Sequence, residues 1–106
     1  MFSPETALDQ LASTHSGNGI GRLHAMVGAK DFVTDIEGRN VQFGFKSCRK
    51  ANKCRLTLTR DDLYTIEFFK FNRRTFDCPC VETVKGLNFT QLTEIFENFT
   101  GLFLTI

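Results

Sequence analysis

Residues 38–71, GRNVQFGFKSCRKANKCRLTLTRDDLYTIEFFKF, decide the fold. Val41, Phe43 and Phe45 alternate with Gln42, Gly44 and Lys46, which is the period of a strand with one apolar face and one wet face. Leu56 and Leu58 resume that alternation against Arg55, Thr57 and Thr59. Asp61-Asp62 is a turn by composition, and Tyr64, Ile66 and Phe68 then alternate with Thr65 and Glu67. Three antiparallel strands sharing one buried face account for the whole stretch. Phe69 and Phe71 fall out of phase, so the opposite face is either partly covered there or carries an apolar patch.

Outward from this meander, Glu37-Gly38-Arg39-Asn40 and Asn72-Arg73-Arg74-Thr75 read as turns. Before the first turn, Arg22–Val27 reads as a strand with Leu23, Ala25 and Val27 on one face, Gly28-Ala29-Lys30 as a turn, and 31–36 as a second extended piece. Ser3-Pro4-Glu5 has the chemistry of a helix start, a hydroxyl cap followed by proline and an acid, and predicts a helix over Pro4–Ala12. After the second turn, Phe76, Cys78 and Cys80 share one parity, with Val81–Val84 continuing and Lys85-Gly86 closing the strand. Pro79 has no N–H for a ladder, so this strand belongs at an edge or a bulge. Asn88 with Gln91 resembles a capping box, and Phe89, Leu92, Ile95, Phe96 and Phe99 form a helical stripe that Gly101 terminates. Leu102–Ile106 is apolar and extended, suited to a further strand.

The expected architecture is α+β. It is a single domain over residues 1–106, with an antiparallel sheet of five or six strands, a short N-terminal helix and an amphipathic C-terminal helix on one face. The chain has 106 residues, 42% of them hydrophobic and 24% charged, ordinary values for a soluble globular domain. Of its 13 aromatic residues 12 are Phe, a ring with no polar handle and therefore a core residue by default. No apolar run reaches membrane-spanning length, and Met1-Phe2-Ser3-Pro4-Glu5 lacks the basic and apolar regions of a signal peptide, so no membrane association and a cytoplasmic location are expected.

The net charge of +1 conceals an uneven distribution. Residues 1–45 hold three bases against five acids, residues 61–106 four against seven, and residues 46–60 six bases and no acid. The loop between the first two meander strands therefore becomes the leading candidate site: Lys46, Arg49, Lys50, Lys53 and Arg55, with Arg73 and Arg74 nearby. Such a basic hairpin can neutralise phosphates and release their counterions, which points to nucleic acid as partner. The competing readings are a solvated tip that protects a β edge, and a surface for an acidic host protein.

Other constellations carry less. Phe43-Gly44-Phe45 is the centre of an RNA-recognition strand, but its flanks depart from that pattern and its rings fall on the core parity. Gly17, Gly19 and Gly21 lack the preceding strand and following Lys-Ser/Thr of a phosphate loop. Cys48, Cys54, Cys78 and Cys80 supply enough thiolates for a zinc ion, at spacings that match no zinc ribbon or finger. Arg49, Lys50 and Lys53 are expected to lower the pKa of Cys48 and Cys54. Asn88-Phe89-Thr90 and Asn98-Phe99-Thr100, though glycosylation triplets, are better read as helix-end residues. His15, His24, Ser13, Ser16 and Cys48 show no spacing that pairs a nucleophile with a base, so no enzyme and no cofactor is expected.

The segments GRLHAMVGAKDFV (21–33), NVQFGFK (40–46), LTLTRDDLYTIEFFKF (56–71) and LTEIFENFTGLFLTI (92–106) resemble a group of small single-domain proteins encoded by bacteriophages and prophages. The resemblance implies a bacterial or phage-infected cell and an accessory role, and carries no catalytic residues. The CRKANKC and CPC segments are not features of that group.

Overall fold

In a computed structural model, which describes residues 4–12, 19–35, 37–46 and 48–102, three helices lie on one face of a five-stranded sheet. The order along the chain is α1 (Pro4–Ala12), α2 (Gly19–Val27), β1 (Lys30–Asp35), β2 (Asn40–Gly44), β3 (Lys53–Leu58), β4 (Tyr64–Phe69), β5 (Cys80–Leu87), a 3-10 turn (Phe89–Gln91) and α3 (Leu92–Thr100). The sheet is an antiparallel meander in which every strand pairs with its sequence neighbour, β1-β2-β3-β4-β5. The architecture is α+β, with the N-terminal and C-terminal helices placed as the sequence predicts.

Alternation does what it should in the three central strands. Val41, Phe43, Cys54, Leu56, Tyr64, Ile66 and Phe68 are all buried, and the residues between them face the other way. In register, Val41, Leu56 and Ile66 form one cross-strand row and Phe43, Cys54 and Phe68 the next. Cross-strand neighbours on a common face are the unit by which a sheet is stabilised. Phe96 of α3 meets these rows, its ring centroid 6.4, 5.3 and 5.8 Å from those of Phe43, Phe45 and Phe68. Phe99 stacks on Phe68 at 4.3 Å. Leu8 and Leu11 of α1 and Leu23 and Val27 of α2 complete the core. α1 is also tied polarly: Tyr64 donates to Gln10 Oε1 at 2.6 Å and Thr93 Oγ1 to Leu11 O at 2.6 Å.

Several expectations need correction. Residues 22–27 form no strand but the body of helix α2. Leu23, Ala25 and Val27 fit a period of two, yet Leu23 and Val27 are also one helical turn apart, and both are buried. Gly28 ends the helix at φ 67, its N–H donating to His24 O at 3.0 Å. A left-handed glycine that returns a hydrogen bond to the last turn is a helix stop, not a strand turn.

The last strand begins later and runs further than expected. Residues 76–79 belong to the β4–β5 loop, whereas β5 passes through Lys85-Gly86 to buried Leu87. Phe89 leaves the helical stripe and is 57% exposed, because residues 89–91 wind as a 3-10 turn before α3 starts. That turn is capped as expected from one side, the Asn88 N–H donating to Gln91 Oε1 at 2.9 Å. Gly101 closes α3 at φ 74 with its N–H on Glu97 O. The further strand expected over 102–106 falls mostly outside the described residues, and Leu102 itself is not in a strand. Ser3 also lies outside them.

Candidate anion-binding cleft

The open face of the sheet is polar at its centre. Arg55 lies between Gln42 and Glu67 in a cross-strand row, its Nε donating to Gln42 Oε1 at 3.4 Å and its guanidinium 3.6 Å from the Glu67 carboxylate. Its guanidinium also covers the Phe69 ring at 5.0 Å. Arg55, a predicted contact residue, is thus committed to its own sheet.

One row further along, the register brings Lys30, Gly44, Lys53 and Phe69 side by side across four strands. Gly44 contributes no side chain, so a hollow opens between the two lysines. It widens into a cleft of about 230 Å³ lined by Lys30, Asp31, Gly44, Phe45, Lys46, Asn52, Lys53, Phe71 and Arg73. Four cations and one carboxylate converge there, drawn from the start of β1, the β2–β3 loop, β3 and the β4–β5 loop.

Each cation is placed by an identifiable local device. Lys30 opens β1 ahead of an irregularity at Asp31, whose φ is 58. The Lys46 N–H donates to Val27 O at 2.9 Å, and its side chain crosses over Gly28. A Cβ at Gly28 would stand 3.2 Å from Lys46 Cδ, so that glycine serves both the helix stop and the passage of the lysine stem. The Lys53 Nζ sits 5.2 Å from the centre of the Phe71 ring. Asn52 clamps the two loops together: Phe71 N–H donates to its Oδ1 at 2.7 Å, and its Nδ2 donates to Phe71 O at 2.9 Å. Arg73 stands in the turn that follows, held by Phe76 N–H donating to Asn72 O at 2.8 Å.

Of the residues expected at the site, Lys46, Lys53 and Arg73 line the cleft together. Arg49 and Arg74 are exposed outside it, and Lys50 turns to the helical side, 5.4 Å from the Phe99 ring. The basic loop is therefore anchored rather than free: Ala51 is fully buried, and Phe45 N–H donates to Asn52 O. Lys30 was not among the sequence candidates, since it lies outside the charge-rich window and only sheet pairing brings it in. Phe69 and Phe71 form no bare apolar patch, for each carries a cation over its ring.

The cysteines separate. Cys54 is fully buried, Cys48 half-buried, Cys78 and Cys80 exposed, and all four are free thiols. Among the described residues no three His, Cys, Asp or Glu side chains group so as to hold a metal ion, so the four-thiolate zinc arrangement is not formed. Burial, with the Glu67 charge adding to it, pushes the Cys54 thiol far up. This reverses the expectation of an acidified Cys54, because the lysines and arginines stay outside while the thiol is desolvated. Phe43 and Phe45 are buried beneath the helices, as a core reading requires. His24 is exposed with Nδ1 3.1 Å from Ala29 O, and Ser13, His15 and Ser16 lie outside the described residues. Asp61-Asp62 forms the turn expected, Asp62 N–H donating to Thr59 O at 3.1 Å. No helix among the described residues is long and apolar enough to cross a membrane.

Comparison of the chain with protein-family models, with curated proteins and with solved structures finds no match.

Proposed function

We propose that this chain is a non-enzymatic accessory protein that binds nucleic acid through the cleft over Gly44. The observation that carries this reading is the convergence of Lys30, Lys46, Lys53 and Arg73 on one hollow. Cations placed together by separate elements focus their field on an incoming phosphate. The Phe71 and Phe69 rings beside them are already covered by Lys53 and Arg55, so recognition within the cleft runs through the backbone, largely independent of sequence. With four phosphate contacts at most, log K should fall with log salt at a slope of about −2.8 for a single strand and about −3.6 for a duplex.

Fluorescence anisotropy of labelled oligonucleotides over a salt series tests this. Lys53→Glu with Arg73→Glu should abolish binding, whereas Arg49→Glu with Arg74→Glu, outside the cleft, should weaken it much less. Equal losses from the two pairs, or no binding by the unaltered chain at low salt, would remove the cleft from consideration.

One observation favours a second reading, an acidic host protein as partner. Phe76 is 79% exposed at φ 60 in the β4–β5 loop, close in sequence to Arg73 and Arg74. An exposed ring flanked by cations is an anchor suited to a protein surface. Association that survives nuclease treatment and is lost in Phe76→Ser would support it. The phage or prophage setting of either reading rests on the resemblance of the quoted segments.

A further inference from the structure

Cys78 and Cys80 are both exposed, and neither lines the anion cleft. Cys80 pairs with Phe69 in the β4–β5 ladder. Lys70 N–H donating to Pro79 O at 3.1 Å and Asn72 N–H donating to Asp77 O at 2.8 Å carry that register past the end of the strand. Cys78 therefore stands opposite Phe71, and the two cysteines occupy the same open face with only Pro79 between them.

This spacing discriminates among the reactions open to a thiol pair. Two residues apart on extended chain, their Cα atoms are separated by about 6.7 Å with Cβ atoms side by side. A disulfide requires Cβ atoms about 3.8 Å apart, so a direct S–S bond would have to break the ladder around Pro79. A metal ion bound at about 2.3 Å to each sulfur spans up to about 4.6 Å between them, which two side chains leaning together can reach. Zinc needs a tetrahedral set that the described residues do not group, and hard cations need oxygen ligands.

We propose that Cys78-Pro79-Cys80 is a two-thiolate site for a soft, thiophilic ion of the copper(I) class. Binding converts two thiols and one Cu⁺ into an anionic S–Cu–S bridge and releases two protons, with no change of oxidation state. Pro79 fixes its own φ near −65°, so little backbone freedom remains to be lost on binding. What must be given up is the present Cys80 rotamer, whose Sγ lies 3.5 Å from Glu82 O and 3.2 Å from Thr83 Oγ1. Both are weak sulfur contacts at the surface.

The test is anaerobic titration of the reduced chain with copper(I) against a chromophoric copper(I) chelator. The unaltered chain should withdraw stoichiometric copper from the chelator, more tightly at higher pH because protons are released. Cys78→Ser and Cys80→Ser should each lose that capacity while Cys48→Ser keeps it, circular dichroism confirming that all three remain folded. Failure to withdraw copper overturns the proposal, as does equal retention by the double serine variant. Comparable retention of zinc would overturn the two-coordinate geometry, and a mass loss of two hydrogens with glutathione disulfide, in place of copper binding, would show the pair to be a disulfide former.

Discussion

Phe96→Ala probes the joint on which the architecture turns. Phe96 is fully buried and touches rings from β2, β4 and the segment that follows β2, so its removal leaves a hollow bounded by Phe43, Phe45 and Phe68. Phe43 and Phe68 are fixed by the ladder and Phe45 by its N–H bond to Asn52 O, so they cannot collapse far into the space. The expected loss is therefore in the upper range for a buried phenylalanine, about 3–5 kcal/mol. Against a total stability of about 5–15 kcal/mol for a domain of this kind, that is a large fraction. An unfolding entropy of about 2.1 cal/mol/K per residue over 106 residues converts 4 kcal/mol into a fall in Tm of about 18 °C. Urea unfolding followed by far-ultraviolet circular dichroism measures it directly, and the m-value should hold, since the surface exposed on unfolding scarcely changes. Phe89→Ala is the matched control: the same deletion at a half-exposed position should shift stability by no more than about 0.5 kcal/mol. If Phe96→Ala costs under about 1 kcal/mol, or no more than Phe89→Ala, then α3 does not dock on the sheet through this ring.

Three further outcomes follow from particular positions. Gly44→Val should fill the cleft floor and block anion binding with the fold intact, as a Cβ there meets only Asn52 O at 3.6 Å and Lys30 O at 3.8 Å; oligonucleotide affinity and thermal melting separate the two effects. Gly101→Ala, at φ 74, should cost about 1 kcal/mol in urea unfolding by straining the end of α3. The Cys54 thiol stays protonated in the folded chain, whereas the unfolded chain releases that proton from about pH 8.5 upward. The unfolded state then binds fewer protons, so stability is intact below that pH and falls above it, by up to about 1.4 kcal/mol per pH unit. Burial of Tyr64 adds a decline of the same sign from about pH 10. In Cys54→Ala the decline between pH 8.5 and 10 should flatten in melts run across that range, and an unchanged slope would refute the assignment.

The central strands were legible because each buries one face against helices and leaves the other wet, so a period of two is written directly into Val41–Phe45 and Tyr64–Phe68. α2 was not: over six residues Leu23 and Val27 satisfy both periods, and tertiary burial against α1 decides between them. β5 was legible as an edge strand, which it is, but its ends were not, since its residues before Leu87 are almost all exposed and so show no alternation to mark them. At the site, local charge density identified Lys46, Lys53 and Arg73 but also Arg49, Lys50, Arg55 and Arg74. What sorts them is register. Lys30 reaches the cleft because it pairs with Gly44, and Arg55 leaves it because Glu67 lies opposite. Neither pairing leaves a trace in the composition of a sequence window.

The bond from Thr93 to Leu11 has a consequence for how the chain is made. Every strand can find its neighbour soon after emerging, since the meander joins only adjacent elements. α1 must wait for a partner 82 residues downstream. At a synthesis rate of about 5–20 residues per second that interval is about 4–16 s, during which the apolar side of α1 has no α3 to cover it. α2, the nearest element in sequence and in contact with α1, supplies the interim shelter. The helix that the sequence disguised as a strand is thus the element at hand to cover Leu8 and Leu11 before α3 has been made.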